Sequence, residues 1–219
     1  QNNSILSRAV ATNQPFSLIF WGPPGTGKTT LARILSREFG VDYFELSAIS
    51  SGVKQVREVL QKGKDSFKSG KRSILFIDEI HRFTKSQQDA LLHAVEEGSI
   101  TLMGATTENP SFEVISPLLS RCRVLRLYPL SDEELEYVLI RAMKEDILLS
   151  QRNLAFEVEA KSLLLESCGG DARKMLNTLE LAVSFYSKDN PQLTKTDIQE
   201  ALQQKHVIYD KAGDYHYDV

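Results

Sequence analysis

The sequence predicts an α/β fold, in which helices cover both faces of a parallel sheet, followed by a small all-helical domain. Up to residue 128, five short apolar segments alternate with amphipathic ones, and parallel strands need such helical crossovers. The segment at 73–77 is apolar almost throughout, which is typical of a strand buried on both faces. After Tyr128-Pro129 the alternation stops, and only helical periodicity remains up to about residue 205.

Each predicted element follows from its local pattern. Apolar residues at helical spacing predict a short first helix within residues 1–13. Apolar and aromatic runs predict strands at residues 17–21, 43–46, 73–77, 101–105 and 124–127. Helical spacing predicts crossover helices at residues 30–39, 53–67 and 87–97. In the second domain, Ser131 and Glu134 form a capping box, and helices are predicted at residues 133–147, 157–167, 172–186 and 195–204.

A glycine-rich loop joins the first predicted strand to the first crossover helix. Residues 22–29 fit the pattern G-x-x-x-x-G-K-[ST], in which backbone N–H groups and a helix N-terminus converge on an anion. In this pattern Lys28 reaches the β- and γ-phosphates, and the Thr29 hydroxyl binds Mg²⁺. The alternative, a plain surface turn, is disfavoured by the flanking strand and helix. We therefore expect a nucleotide and Mg²⁺ as cofactors, held by Gly22, Pro23, Pro24, Gly25, Thr26, Gly27, Lys28, Thr29 and Thr30.

Two acidic residues, Asp78 and Glu79, directly follow the predicted strand at 73–77. The carboxyl ends of parallel strands border the crevice in which such sheets bind ligands. Asp78 can hold the Mg²⁺ shell, usually through water, and Glu79 can act as the general base on an attacking water. The alternative is a solvated acidic turn. For His81, two residues further on, a role in the site and a merely supporting place on the surface or behind the site both remain open.

Polar residues also follow the predicted strand at 101–105, which should lie beside the strand that ends at Asp78. A hydroxyl there could orient the water or contact the γ-phosphate. Thr107 is the favoured residue, Asn109 is the second choice, and a plain strand-end turn is the alternative.

Two arginines are further candidates. Arg121 precedes the fifth predicted strand, and its guanidinium suits bidentate phosphate contact, although most surface arginines are merely solvated. Arg173 lies in the first turn of a predicted helix, where a positive charge opposes the helix dipole. This local cost weakly indicates a role.

The overall composition is that of an ordinary globular protein, with 26 basic and 29 acidic residues and a net charge of −3. This balance disfavours a surface-wide nucleic-acid footprint but permits a local basic face, whose candidates are Lys62, Lys64, Lys68, Lys71 and Arg72. These side chains fit a solvated surface equally well. The 2 cysteines lack metal-binding spacing, which indicates a reducing compartment. Because no apolar run reaches membrane length, we expect a cytoplasmic protein without a membrane partner.

Four motifs together resemble the AAA+ ATPases of the clamp-loader group, namely residues 22–29, 78–79, 120–122 and 170–173. Longer strings resemble the replication-associated recombination protein A family, at residues 76–83, 85–89 and 104–112. The similarity extends over nearly the whole chain.

This resemblance implies roles for individual residues. Thr107 would be the sensor-1 residue, and Arg173 would be sensor 2, reaching the γ-phosphate in its own subunit. Arg121 would be an arginine finger that acts in trans on the ATP of a neighbouring subunit. With Glu79 and Lys28, these residues make up the expected catalytic set. Residues 1–128 would be the AAA+ ATPase core, 129–205 a helical lid that carries sensor 2, and 206–219 the truncated start of a C-terminal region.

The resemblance also implies a function. It points to a DNA-stimulated, nucleoid-associated ATPase that forms ADP and phosphate in replication-fork maintenance, recombination and repair. The implied partners are single-stranded, gapped or forked DNA, single-stranded-DNA-binding protein and further copies of the chain, commonly in a tetramer. We expect the family's adenine-binding stretch and its oligomerisation domain to lie outside this sequence.

Three alternatives remain open at this point. A sliding-clamp loader subunit or a Holliday-junction branch-migration ATPase would share the core motifs. A nucleotide-dependent scaffold that does not hydrolyse ATP would share the phosphate loop.

Overall fold

The computed structural model describes residues 5–150, 154–184 and 192–213. These residues divide into two compact units. The first runs up to Pro23 and from Gly27 to Tyr128, and the second consists of Pro24–Thr26 and the described residues from Pro129 onward. Within the described residues, no helix has both the length and the apolarity needed to cross a membrane.

The first unit contains a sheet of five strands in the order β2-β3-β4-β1-β5, and every neighbouring pair is parallel. The strands are β1 (Leu18–Trp21), β2 (Asp42–Ser47), β3 (Ser73–Asp78), β4 (Thr101–Thr106) and β5 (Arg123–Arg126). Their bounds agree with the predicted strands to within one residue at each end. The parallel order and the flanking helices confirm the predicted α/β fold class.

Helices of the first unit precede and connect these strands. They are α1 (Ile5–Ala11), α2 (Lys28–Phe39), α3 (Val53–Lys68), α4 (Lys85–Glu96), α5 (Pro110–Glu113) and α6 (Ser116–Leu119), with a 3₁₀ turn at Ile80–Arg82. α4 starts two residues before its predicted start because Thr84 is its N-cap, accepting from the Gln87 N–H in a capping box. α5 and α6 are single turns that were not predicted, since so short a segment shows no periodicity.

The core of the first unit lies on both faces of the sheet. Alternate residues of β1 and β3 point to opposite faces, so Ile19 and Ile77 pack with α3 and α4, whereas Phe20 and Phe76 pack with α2. The four side chains are fully buried. This double coverage explains why the sequence of β3 is continuously apolar up to Asp78.

The second unit consists mainly of helices, which pack around a hydrophobic core of their own. Its helices are α7 (Asp132–Glu145), α8 (Ile147–Ser150), α9 (Val158–Cys168), α10 (Ala172–Ser184) and α11 (Lys195–Gly213). Ser131 caps α7 as predicted, and the extended backbone at Asp146 divides the predicted helix 133–147 in two. α11 continues nine residues beyond its predicted end. Two strands of two residues each, β6 (Ala155–Phe156) and β7 (Gln192–Leu193), pair in parallel and were not predicted.

The remaining predictions in this unit fall partly on residues outside the described ranges. These are the end of the predicted helix 172–186, the loop at 189–191 and the final residues 214–219.

Candidate active site

The phosphate loop and the acidic pair lie at the same edge of the sheet, where the strands have their carboxyl ends. Trp21, which ends β1, is in register with Thr106, which ends β4, and the Gly22 N–H donates to the Thr106 carbonyl at 3.2 Å. β3 is the next strand beyond β4 and ends at Asp78. Two strand spacings separate β3 from β1, so these strand ends are about 10 Å apart.

The loop holds Lys28 at its centre. Gly27, with φ of 86°, is the N-cap of α2, and Lys28 is the first residue of that helix. The Lys28 Nζ donates to the carbonyls of Gly22, at 2.8 Å, and Pro23, at 2.7 Å, and the residue is 8% exposed. The ammonium group is therefore held inside the loop, beside the helix N-terminus at which an anion is stabilised.

The other predicted loop residues differ in exposure. Gly22 is buried, and Gly25, Thr26 and Thr29 are half-buried; those that are exposed are Pro23, Pro24, Gly27 and Thr30. Gly22 has a steric reason to be glycine, because a Cβ there would lie 2.3 Å from the Leu127 carbonyl oxygen. A side chain at this position would push the loop away from the sheet edge.

The acidic pair has an unusual backbone. Asp78 is the last residue of β3 and is half-buried, and its carbonyl accepts from the Ala48 N–H at 2.9 Å. Glu79 has φ of 54° and ψ of 46°, in the left-handed region. Among the described residues, only Asn13 and Glu79 have a positive φ without being glycine. Such a conformation costs about 1–3 kcal/mol and is characteristic of functional positions.

His81 lies directly against Glu79. Its Nδ1 is 3.2 Å from Glu79 Oε2 and 3.0 Å from Thr106 Oγ1. Both side chains are largely buried, with 11% of His81 and 25% of Glu79 exposed. The structure therefore places His81 in the site, whereas its position in the sequence left this open.

At the end of β4 three polar residues have different surroundings. Thr107, the predicted sensor, is half-buried and directly follows the last residue of β4. Asn109, the second choice, is the N-cap of α5, and its Oδ1 accepts from the Ser111 N–H at 3.0 Å. The hydroxyl that contacts His81, the neighbour of Glu79, is that of Thr106, which is fully buried. Sequence reasoning missed Thr106 because two threonines are adjacent and only the strand register distinguishes them.

Arg121 lies at the opposite edge of the sheet. It lies two residues after the end of α6 and two residues before the start of β5. It borders a cavity of about 720 Å³ that Ser73, the first residue of β3, also lines. β3 is six residues long and spans about 17 Å between that edge and Asp78. Within this unit, Arg121 is therefore far from the phosphate loop.

The guanidinium of Arg121 is held by local partners. Its Nη2 lies 2.5 Å from Glu96 Oε1, and its Nη1 donates to the Pro117 carbonyl at 2.7 Å. Burial raises the pKa of the neighbouring Cys122 thiol to about 12.

Arg173 belongs to the second unit. It is exposed and lies in the first turn of α10, immediately after Ala172. The helix begins there because Gly169 and Gly170 both have positive φ and end α9.

Oxygen donors for Mg²⁺ are present, but the described residues contain no cluster of three or more His, Cys, Asp or Glu side chains placed to hold a metal ion. Thr29 and Asp78 offer a hydroxyl and a carboxylate, which are ligands that Mg²⁺ accepts. Since Mg²⁺ usually keeps several waters and binds substrate phosphates, two protein ligands fit this ion.

The basic side chains at residues 62–72 are partly committed to other contacts. Lys64 pairs with Glu97 at 3.0 Å, and this hydrogen bond lowers the pKa of the Glu97 carboxyl. Arg72 donates to the Asn13 carbonyl at 3.4 Å. Lys62, Lys68 and Lys71 are exposed.

The chain is similar to bacterial proteins of DNA metabolism. It is 43% identical over 218 residues to replication-associated recombination protein A of Escherichia coli, a match that covers 98% of this chain and 49% of that protein. The protein of the same name from Haemophilus influenzae is 42% identical over 217 residues, again covering 98% of this chain and 49% of that protein. The chain thus spans about half the length of these relatives.

A solved structure shows the same architecture. The RuvB Holliday junction branch migration motor of Thermotoga maritima matches with a TM-score of 0.69 and 25% identity, over 90% of this chain and 65% of that one.

Two family descriptions match the sequence itself. Residues 150–219 match the AAA C-terminal domain, and residues 18–130 match the ATPase family associated with various cellular activities (AAA). The second match contains all five strands of the sheet, the phosphate loop and the acidic pair. Because it also extends over more than half of the sequence, the chain belongs to the AAA family of ATPases.

Proposed function

We propose that this chain is the motor core of a DNA-stimulated ATPase that hydrolyses ATP to ADP and phosphate. One observation carries the proposal: Lys28, Asp78 and Glu79 lie at the carboxyl edge of one parallel sheet. A cation at a helix N-terminus suits the phosphates, and two carboxylates beside it suit a metal ion and a water.

The proposed reaction uses these side chains in order. Lys28 leaves the loop carbonyls and donates to the β- and γ-phosphate oxygens. Bound Mg²⁺, held by Thr29 and Asp78, would supply further neutralisation of the phosphate charge. Glu79 orients a water in line with the γ-phosphorus and takes its proton as the water oxygen forms its bond and the bond to the ADP oxygen breaks.

Arg121 is proposed to act on the ATP of a neighbouring copy. Its side chain lies at the edge of the sheet opposite the phosphate loop, about 17 Å away along β3. An arginine that cannot reach its own site can still stabilise charge in another, and such fingers contribute about 10³–10⁵ in rate. Hydrolysis would then depend on assembly into a homo-oligomer.

Thr107 and Arg173 are proposed as sensors of the γ-phosphate, on the basis of the family resemblance. Thr107 follows the strand next to that of Asp78, which supports a place near the attacking water. Arg173 is exposed and lies in the first turn of α10.

The relatives named for replication-associated recombination support the biological role. We propose that the whole protein acts on single-stranded, gapped or forked DNA at replication forks, in the cytoplasm with the nucleoid, together with single-stranded-DNA-binding protein. Branch migration is the second candidate, favoured by the RuvB likeness. The chain is 43% identical to the recombination protein and 25% identical to RuvB, which favours the role in replication-associated recombination.

Glu79→Gln tests the chemical step. The amide keeps the size of the side chain but cannot take a proton, so ATP should bind with unchanged affinity while single-turnover hydrolysis falls by about 10²-fold or more. A variant that hydrolyses at the parent rate would refute the role of Glu79. If the whole protein, supplied with DNA, is as inactive as its Glu79→Gln variant, the non-hydrolysing scaffold replaces the ATPase.

Arg121→Ala tests the action in trans. Subunits that lack Arg121 but keep Glu79 should regain hydrolysis when mixed with Glu79→Gln subunits, which keep Arg121. The matched control is Arg141→Ala, which removes another exposed, ion-paired arginine and should leave turnover unchanged. Failure of mixing to restore any hydrolysis would count against a finger in trans.

A further inference from the structure

We propose that His81 is a positioning residue, whose Nδ1–H fixes the carboxylate of Glu79 in the orientation needed to receive a proton from water. The inference rests on the proposed hydrolysis. It starts from one contact, since His81 Nδ1 lies 3.2 Å from Glu79 Oε2. His81 would not touch ATP, and it acts through Glu79.

The backbone brings the two side chains together. Glu79 adopts the left-handed conformation, and its carbonyl accepts from the Arg82 N–H at 2.8 Å, which begins the 3₁₀ turn at Ile80–Arg82. This reversal directly after β3 returns His81 toward Glu79 rather than away from the sheet. The strained φ of Glu79 therefore has a structural result, namely the contact between these two side chains.

We infer that His81 carries a proton on Nδ1. This nitrogen is 3.2 Å from Glu79 Oε2, and because a carboxylate oxygen offers only lone pairs, so close an approach is favourable when Nδ1 is protonated. The hydrogen bonds of the Thr106 hydroxyl also favour a proton on Nδ1 of His81. The hydroxyl donates to the Glu108 carbonyl at 3.2 Å and accepts from the Glu108 N–H at 3.0 Å. The remaining lone pair of Thr106 can accept from Nδ1–H, at 3.0 Å.

The anchor of this arrangement is rigid. Thr106 is fully buried and ends β4, which pairs with β1 at Trp21 and with β3 up to Ile77. His81 is thereby tied to the centre of the sheet, and its single Nδ1–H is shared between Thr106 Oγ1 and Glu79 Oε2. Because that donor engages Oε2, Oε1 is the oxygen that remains to take the proton from water.

Three substitutions at His81 separate this role from a structural one. His81→Asn keeps an N–H donor near the position of Nδ1, because the Asn amide branches at the same carbon as the imidazole. His81→Gln places its amide near the position of Nε2, and His81→Ala removes the donor. His93→Ala is the matched control, since His93 is 77% exposed on α4.

We expect a specific pattern in single-turnover hydrolysis with enzyme in excess. His81→Ala and His81→Gln should lower the rate on the order of 10- to 100-fold, because a carboxylate misplaced by about 1 Å loses this much. His81→Asn should recover most of the rate, and His93→Ala should match the parent. The Kd for ATP should stay within about twofold in all four variants, because His81 acts on the chemical step and not on binding.

Each outcome either supports or overturns the positioning role of His81. Equal rates for His81→Ala and the parent, with Glu79→Gln inactive, would overturn the inference and leave the proposed function intact. So would a loss in His81→Asn as large as in His81→Ala. If the parent is no faster than Glu79→Gln, both proposals fail together.

A measurement without turnover checks the assigned tautomer. Nitrogen-15 NMR of the imidazole distinguishes a protonated ring nitrogen from an unprotonated one. We expect Nδ1 of His81 to carry the proton in the intact chain. An unprotonated Nδ1 would overturn the inference whatever the hydrolysis rate.

Discussion

Thr106→Val provides a quantitative test of the buried network at the end of β4. Valine has nearly the shape of threonine and is equally suited to a strand, so the change removes the hydroxyl and little else. The Thr106 hydroxyl has three contacts within 3.2 Å, two with the Glu108 backbone and one with His81 Nδ1. All three partners lose a hydrogen bond when the hydroxyl is removed.

The size of the effect follows from what replaces these contacts. Thr106 is fully buried, so no water can enter its position, whereas Glu108 is exposed and its backbone can turn partly to solvent. A buried polar group left without a partner costs about 1–3 kcal/mol. With one largely buried partner and two that water can reach, we expect a loss of about 2 kcal/mol in the free energy of unfolding.

Urea unfolding followed by tryptophan fluorescence measures this loss. The chain has 1 tryptophan, Trp21, which is paired in register with Thr106, so the signal reports on the first unit. With a slope of about 2 kcal/mol per M urea, the midpoint should fall by about 1 M. Ser99→Ala is the control. Its buried hydroxyl donates to the Ala94 carbonyl, which also accepts from two backbone N–H groups, so its loss strands no partner.

Equal midpoint shifts for Thr106→Val and Ser99→Ala would refute this reasoning. The network would then contribute no more than the single buried hydroxyl of Ser99, and His81 would have no rigid anchor.

Three further predictions concern other parts of the first unit. Gly22→Ala should lower the free energy of unfolding by about 1–3 kcal/mol and abolish ATP binding, because the new methyl group would meet a backbone carbonyl at 2.3 Å. The control is Gly52→Ala, where a Cβ meets nothing within 4 Å, and its loss measured by urea unfolding should be under about 1 kcal/mol. Because burial raises the pKa of the Cys122 thiol to about 12, little thiolate is present at pH 8, and iodoacetamide should label Cys122 in native protein far more slowly than in unfolded protein. Folding raises the pKa of the Cys122 thiol, so the thiol's contribution to stability is complete below pH 9.0 and is lost as the pH rises to about 12. Equal urea-unfolding midpoints at pH 8 and pH 11 would contradict this. Glu96→Gln should change stability by less than about 1 kcal/mol, because its pair with Arg121 is solvent-exposed, and a larger loss would show a structural role.

Local patterns were sufficient for the regular elements of the sheet. Each strand was predicted to within one residue at either end, because a run of apolar residues such as Leu75 to Ile77 has no favourable place outside a core. The one-turn helices α5 and α6 and the two-residue strands were missed, since elements shorter than one period carry no periodic signal. The order β2-β3-β4-β1-β5 is a property of long-range pairing, and no local pattern encodes it.

Some residues of the candidate site could be recognised from local sequence, and others could not. The phosphate loop around Lys28 and the acidic pair belong to the first group, because their residues are contiguous and their chemistry depends on residue type and spacing. Only the tertiary structure placed His81 against Thr106, 25 residues further along the chain, and Arg121 at the opposite edge of the sheet. The physical reason is that these placements depend on the register between β3, β4 and β1, which is set by packing on both faces of the sheet and not by the residues beside them in sequence.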